Sequence, residues 1–328
     1  MFLLTGGAGF LGRKALESLI RHGQSVRALV LPGDPLAIHL PKAADKIEGD
    51  LLNPRDLARF FEGVTAQDTV IHCASIITMS MSPVDLVTRV NVEGTKNIIE
   101  QCLKTGARLV HVASVHAIPE LPHGQVMAEP ETLDEEQVVG WYAKTKAMAA
   151  KVVLEARARQ GLQAAIAYPA GLCGPGDYGK GNLTQLFLDY MNGAIPMGVD
   201  GGYNFADVRD VAQAIVTLAQ KESLGEDYVL SGEYIAIMDI LKAFHDITGK
   251  KQVRLVCPVW LAKLALPIMK LVYSIRKVKP IFSEYSLYTV RANSLFDSSM
   301  ARRDLGFSPR PIRQTLEDTA KWLMEQNI

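Results

Sequence analysis

The sequence predicts an α/β protein: a doubly wound parallel sheet with a smaller, discontinuous C-terminal lobe. Three observations predict it. Short apolar runs alternate with helical patterns through the first 160 residues. A glycine-punctuated junction, Thr5-Gly6-Gly7-Ala8-Gly9-Phe10-Leu11-Gly12, lies between the first run and the first helical pattern. After Gly171 the alternation loosens into loops bearing Gly, Pro175 and Pro196. Strands separated by helices need crossover connections, and those build parallel sheets.

The elements follow in order. Residues 2–4 read as a strand, and residues 11–22 as an amphipathic helix ended by Gly23. Residues 25–31 are a second strand, stopped by Pro32-Gly33. Residues 57–61 are helical, and residues 69–73 form a buried strand. Residues 85–104 are a long helix closed by Gly106, and residues 108–113 another strand. Residues 141–160 are a long helix stopped by Gly161, and residues 163–168 a strand before Pro169. Residues 171–202 read as loop, helix, loop; residues 203–206 and 208–220 as one more strand and helix of the first unit. The predicted division is therefore 1–170 with 203–225 as one unit, and 171–202 with 226–328 as a second.

Composition narrows the function. The chain has 328 residues, with Lys+Arg 35 and Asp+Glu 35, so its formal net charge is zero. That excludes the electrostatic footprint of a general nucleic-acid binder. Hydrophobic residues at 48% and charged residues at 21% make the chain too apolar for disorder. Cys73, Cys102, Cys173 and Cys257 are widely spaced, form no CxxC, and read as reduced thiols of a cytoplasmic protein. The N-terminus carries no basic leader, and no run of 18 uncharged apolar residues occurs, so no spanning helix is expected. Residues 259–275 are strongly apolar, interrupted by Lys263, Pro267 and Lys270. They fit a core or pocket-lining helix pair broken at Pro267, or a helix lying on a membrane surface.

The glycine motif carries the first chemistry. Gly6 permits the tight turn, Gly9 lets backbone approach a pyrophosphate, and Gly12 lets the helix pack closely. Phe10 and Leu11 open the helix, whose free N–H groups and positive dipole end suit phosphate. This is the fingerprint of a Rossmann-type dinucleotide unit. The second signal is Tyr142-Ala143-Lys144-Thr145-Lys146: a phenol and an ammonium four apart share a helical face. The ammonium is expected to lower the phenol's pKa, which suits proton transfer to or from oxygen. The third is Ser114, just past the strand at 108–113, at the sheet edge where such folds bind ligands.

With these motifs the chain resembles the extended short-chain dehydrogenase/reductase superfamily, also called the NAD-dependent epimerase/dehydratase family. The resemblance runs over essentially the whole chain. It includes Gly49-Asp50-Leu51, Ile71-His72-Cys73-Ala74-Ser75, Asn91-Val92-Glu93-Gly94-Thr95-Lys96-Asn97, Val208-Arg209-Asp210-Val211-Ala212 and Leu305-Gly306-Phe307-Ser308-Pro309. It implies that Asp50 and Leu51 hold an adenine, and that Cys73, Ala74 and Ser75 line the ribose and pyrophosphate path. Asn91 would order the active-site helix, and Pro169 and Ala170 would flank a nicotinamide. Ser114, Tyr142 and Lys146 would be catalytic, with Tyr142 passing the proton and Lys146 holding the ribose. A homodimer built on helices 85–104 and 141–160 is implied too.

Departures from the family pattern bear on the substrate. Many nucleotide-sugar epimerases carry Arg where this chain has Tyr203; the usual Arg before Pro169 is Tyr168; the dehydratases' Asp-Glu after the catalytic hydroxyl is Val115-His116. The remaining resemblance, to dihydroflavonol reductases and 3β-hydroxysteroid dehydrogenases, implies a ketone/alcohol oxidoreductase acting on a bulky, mostly apolar small molecule. A nucleotide-sugar epimerase with retained NAD, and a non-catalytic NAD(P)-binding regulatory protein, are the alternatives. The cofactor is NAD(P)(H), with NAD against NADP open. Leu31 stands where Asp or Arg usually decides, while Arg13 and Lys14 either approach a 2′-phosphate or line an exposed helix face. His72, His111, His116 and His123 lack metal-ligand spacing, so no metal is expected, and His116 is a candidate substrate contact.

Overall fold

Leu3 and Leu4, neighbours on the first strand, are both fully buried, because helices cover both faces of the sheet they belong to. The computed structural model describes residues 1–264, 266–267 and 283–326. Its strands are β1 Phe2–Thr5, β2 Val26–Val30, β3 Asp45–Glu48, β4 Thr69–His72, β5 Arg108–Val112 and β6 Ala164–Pro169. Then follow β7 Gly171–Cys173, β8 Gly198–Val199, β9 Gly202–Asp207, β10 Tyr228–Leu230, β11 Glu233–Ala236 and β12 Val256–Cys257. Seven of them form one sheet in the order β10-β6-β5-β4-β1-β2-β3, with every pair parallel. This is a Rossmann-like fold. The order reverses between β1 and β4, which opens a crevice at their carboxyl ends.

Alternation sorts the side chains onto two faces. Leu4, Ala28, Ile71, Val110 and Ala165 meet α1 Phe10–Arg21 and α7 Val208–Ala219. Leu3, Leu29, Val70, Leu109 and Ile166 meet α2 Pro54–Phe60, α4 Gly94–Thr105 and α5 Trp141–Gln160. A third core sits in the C-terminal lobe among α6 Asn182–Met191, α8 Ile237–Thr248 and the helix Ile312–Glu325.

Two expectations change. The helix expected over 85–104 is interrupted: α3 Asp85–Thr88 runs into a π turn, Arg89–Glu93, before α4. Such turns collect at functional sites, and this one holds Asn91. The strand expected at 203–206 forms as β9, but it pairs with β7 and β11 in a separate small sheet. The seventh place in the large sheet goes to β10, which the expected boundary at 226 assigns elsewhere. Asp227 explains this. Its carboxylate pairs with Arg157 and accepts the Ile166 N–H at 2.9 Å, which pins the chain beside β6 just before β10 begins. β8 pairs with β12. Of the apolar segment 259–275, residue 265 and residues from 268 onward lie outside the described residues. No described helix is long and apolar enough to cross a membrane.

Candidate active site

Parallel strands put every strand's carboxyl end on one edge, so the motifs following β1 through β6 converge there. Gly6 turns the chain at φ +72°, where a side chain is strained; a Cβ there would also lie 2.7 Å from Ala74 N. Gly12 meets this turn more than the sheet: its Cβ would lie 2.2 Å from Gly6 O. Gly9 caps α1 without a side-chain hydrogen bond, leaving the first N–H groups of the helix open toward the crevice. Ser75, on the far bank of the same turn, has a buried hydroxyl with no partner among the described residues. A tight turn that only glycine can make, an open helix start and an orphaned hydroxyl together fit a dinucleotide's pyrophosphate.

Behind the turn a buried polar chain runs to the helix that carries Tyr142 and Lys146. Ala74 N–H donates to Thr5 Oγ1, and because Thr95 spends its proton on Asn91 O, His72 is protonated at Nε2 and its Nδ1 accepts from Thr5 Oγ1 at 2.7 Å. His72 Nε2–H then donates to Thr95 Oγ1 at 3.0 Å, and Thr95 donates to Asn91 O at 2.7 Å. The Asn91 carboxamide accepts from Ile76 N–H, donates to Ile76 O, and donates to Thr145 Oγ1. Thr145 in turn donates to Tyr142 O. Asn91's side chain is thus spent on protein, and orders the chain around the site.

Ser114 is buried just beyond β5 and caps the 3-10 turn Val115–Ala117, accepting from His116 N–H at 3.3 Å. Tyr142 and Lys146 stand on the first turns of α5. Lys146 Nζ donates to Val112 O at 2.8 Å, and burial pushes its pKa down to about 8, with the Cys73 thiol acting the other way. Burial pushes Tyr142 up to about 12, against a hydrogen-bonding pull from Ser114 that lowers it. The expected lowering by the ammonium is not what the protein's own groups do: desolvation of the phenol dominates. Burial also drives His72 down to about 3 and His111 well below its ordinary value, so both are neutral.

The remaining expected positions line the same edge. Asp50 accepts Leu52 N–H at 2.8 Å in a loop turn, and Leu51 packs where a Gly94 side chain would stand. Pro169 and Ala170 are buried, with Ala170 N–H on Leu230 O. Leu31 is 57% exposed. Asp34 is taken as a cap by Leu36 N–H, Lys14 pairs with Glu17, and Arg13 is buried, bonded to Glu17 and Gly176 O over the Tyr178 ring. Arg13 therefore fits neither expected reading; it ties α1 to the loop after β7.

Beyond Ser114 opens a cavity. Val115, Ile118, Met127, Val138 and Phe296 supply its apolar walls; His116, Tyr203, Asn204 and Glu120 are among its polar groups. No Lys or Arg stands among its described walls. The Tyr203 hydroxyl is occupied, donating to Ser286 O at 3.1 Å and meeting Thr289 Oγ1 at 3.2 Å. Neither residues 75–79 nor the described part of 259–275 lines this cavity. His116 lies 6.2 Å from the Tyr142 ring and 6.0 Å from Tyr285. Thr5, Thr95 and Thr145 stand within the motif segments but nothing in their spacing gives them a role, and Tyr285 lies in no motif. Tyr285 reaches the site from the helix Glu284–Thr289, far along the chain, and only folding brings it there. No group of His, Cys, Asp or Glu able to hold a metal ion occurs among the described residues.

Residues 2–231 match the profile of the NAD dependent epimerase/dehydratase family. The chain is 29% identical to the sterol demethylase protein B of Methylococcus capsulatus, over 99% of both chains. It is 26% identical to a 3-beta-hydroxysteroid dehydrogenase of Mycolicibacterium neoaurum, over 94% of this chain and 86% of the relative. Among solved structures, MoeE5 in complex with UDP-glucose and NAD superposes with a TM-score of 0.76 at 21% identity, covering 100% of this chain and 99% of that one, a likeness of fold.

Proposed function

The chain belongs to the NAD-dependent epimerase/dehydratase family of NAD-dependent enzymes, and from that premise we propose that it interconverts a ketone and a secondary alcohol on a bulky, mostly apolar small molecule. The cavity lined by His116, whose ring lies 6.2 Å from that of Tyr142, carries this reading. Its walls are largely apolar, its described residues include no Lys or Arg to take a sugar diphosphate, and its carboxylate, Glu120, would repel one. The names of the sterol and steroid relatives support the same substrate class.

Gly6, Gly9, Phe10, Leu11 and Gly12 would hold the pyrophosphate, and Cys73, Ala74 and Ser75 its flank. Leu31, Asp50 and Leu51 would lie at the adenosine end, Pro169 and Ala170 at the nicotinamide. When bound, the nicotinamide supplies or accepts hydride. Tyr142, kept protonated by burial, donates a proton to the substrate oxygen, and Ser114 offers its hydroxyl to the same oxygen. Lys146, cationic below about pH 8, holds positive charge beneath the phenol as it gives up that proton. A cytoplasmic homodimer through the outer faces of α4 and α5 completes the proposal; half-buried Met148 and Val152 on α5 support that contact, and light scattering tests it.

The test is turnover of reduced cofactor with a panel of sterol-like and flavonoid-like ketones. Stoichiometric loss of NAD(P)H with alcohol formed is expected. Conversion of UDP-sugars with retained NAD and no net cofactor use would overturn the reading.

A further inference from the structure

The segment that crosses β12 is apolar on the side it does not need for folding. Val253, Cys257, Val259, Ala262 and Leu266 face inward and pack against the C-terminal core. Leu255, Trp260 and Leu264 point the other way and are 64%, 65% and 68% exposed; Val256 and Leu261 are exposed with them. Scattered exposed leucines need no explanation, but a contiguous group around a tryptophan marks a contact surface.

The charge carried by this segment of the sequence has one sign. Arg254 and Lys263 are exposed within it, and Lys250 and Lys251 lead into it. From Lys250 to Phe282 the sequence carries eight Lys or Arg and no Asp or Glu, in a chain whose net charge is zero. That asymmetry selects among occupants. A second copy docking the same face on itself would set Arg254 and Lys263 against their own copies, with no acid supplied by the segment itself. A nucleic acid would match the charge but gives Leu255, Val256 and Leu264 nothing apolar to enter. An anionic bilayer surface answers both: headgroups meet the basic side chains, and the interfacial layer takes the tryptophan and leucines.

We propose that the exposed face formed by Leu255, Val256, Trp260, Leu261 and Leu264, with Arg254 and Lys263, docks the protein on an anionic lipid surface. Contact is peripheral, through side chains of the C-terminal lobe. The inference does not rest on the proposed reaction, and its test is read without substrate.

Full-length protein is sedimented with vesicles of phosphatidylcholine alone or mixed with phosphatidylglycerol. Binding to the mixed vesicles is expected, at least ~10-fold weaker on phosphatidylcholine alone and weakened likewise by high salt. Trp260→Ala with Leu264→Ala, at positions already in solvent, should lower vesicle binding at least ~10-fold with an unchanged melting temperature. Lys263→Glu, which leaves the apolar patch intact, should do so through charge alone. No sedimentation with either vesicle, or equal binding by both variants, overturns the proposal. So does a wild-type dimer that the double variant turns into a monomer, or duplex DNA retained where vesicles are not.

Discussion

The Asn91 carboxamide donates to the Thr145 hydroxyl at 3.1 Å, tying a π turn to the helix that carries Tyr142 and Lys146. The same carboxamide satisfies both the N–H and the C=O of Ile76. Leucine at 91 keeps the volume and leaves the Ile76 N–H and C=O without a partner, while Thr145 keeps its bond to Tyr142 O. Each buried orphan costs about 1–3 kcal/mol. Asn91→Leu should therefore destabilise the fold by about 2–4 kcal/mol in denaturant unfolding. It should also lower kcat more than it raises the KM of the ketone, because it loosens the proton donor rather than the pocket. An unchanged unfolding midpoint would remove Asn91 from this role.

Tyr142→Phe keeps the ring that packs beside His116 and removes only the hydroxyl proposed as proton donor. Cofactor binding, read by fluorescence titration, should survive. Turnover should fall at least ~100-fold, the scale of a lost general acid. Near-normal turnover in this variant would place the proton transfer elsewhere.

Much of the large sheet could be read from the chain because both its faces are covered, so each strand is an apolar run between helical patterns. The glycine turn, Ser114, Tyr142 and Lys146 could be read because their spacing is local. Three things could not. An apolar run does not say which sheet it joins, so β9 and β10 exchange places relative to expectation; the Arg157–Asp227–Ile166 contact that decides it spans long sequence separations. The phenol's pKa depends on burial that spacing does not encode, and the ammonium four residues away does not offset it. Tyr285 stands more than a hundred residues from Gly140, yet its ring occupies the space that a Gly140 side chain would need.

That contact makes a further prediction. Gly140 sits at φ +92° just before α5, and a Cβ there would lie 2.3 Å from Tyr285 Cε2. Gly140→Ala therefore meets both a backbone penalty and a collision, and should cost about 2–4 kcal/mol. Tyr285→Leu should itself be destabilising, but should recover part of the loss when combined with Gly140→Ala, since it removes the collision and not the backbone strain. Strict additivity in this double-mutant cycle would show that the ring and the glycine do not interact.

Acid should unfold the protein through its buried histidines. His72 and His111 are both neutral, with pKa values depressed by burial, His72 to about 3. In the unfolded chain each takes a proton as pH falls through about 6.5, while the folded state does not. Stability is thus fully present above that value and lost below it, at about 2 kcal/mol per histidine between pH 7 and pH 5. The melting temperature should drop steeply over that range. His111→Leu should flatten the slope by about one proton, because neither His111 ring nitrogen has a partner among the described residues. A melting temperature independent of pH in this window would mean that the rings gain protons while folded.

Cofactor choice turns on Leu31, which is exposed at the end of β2, where the adenosine ribose of a bound dinucleotide is expected. It offers no carboxylate to bond a 2′-hydroxyl or repel a 2′-phosphate, and no guanidinium to pair with one. The nearby charges are committed: Asp34 caps the turn at Leu36, Lys14 pairs with Glu17, and Arg13 is buried against Gly176 and Tyr178. A charged hydrogen bond is worth about 1.5–3 kcal/mol. A site without one should therefore separate NADH from NADPH by no more than about 30-fold, which is about 2 kcal/mol. Leu31→Asp should shift preference toward NADH and Leu31→Arg toward NADPH, each measured by fluorescence titration of both cofactors. A native preference above about 1000-fold, about 4 kcal/mol, would require a charged group at the 2′ position that this arrangement does not supply.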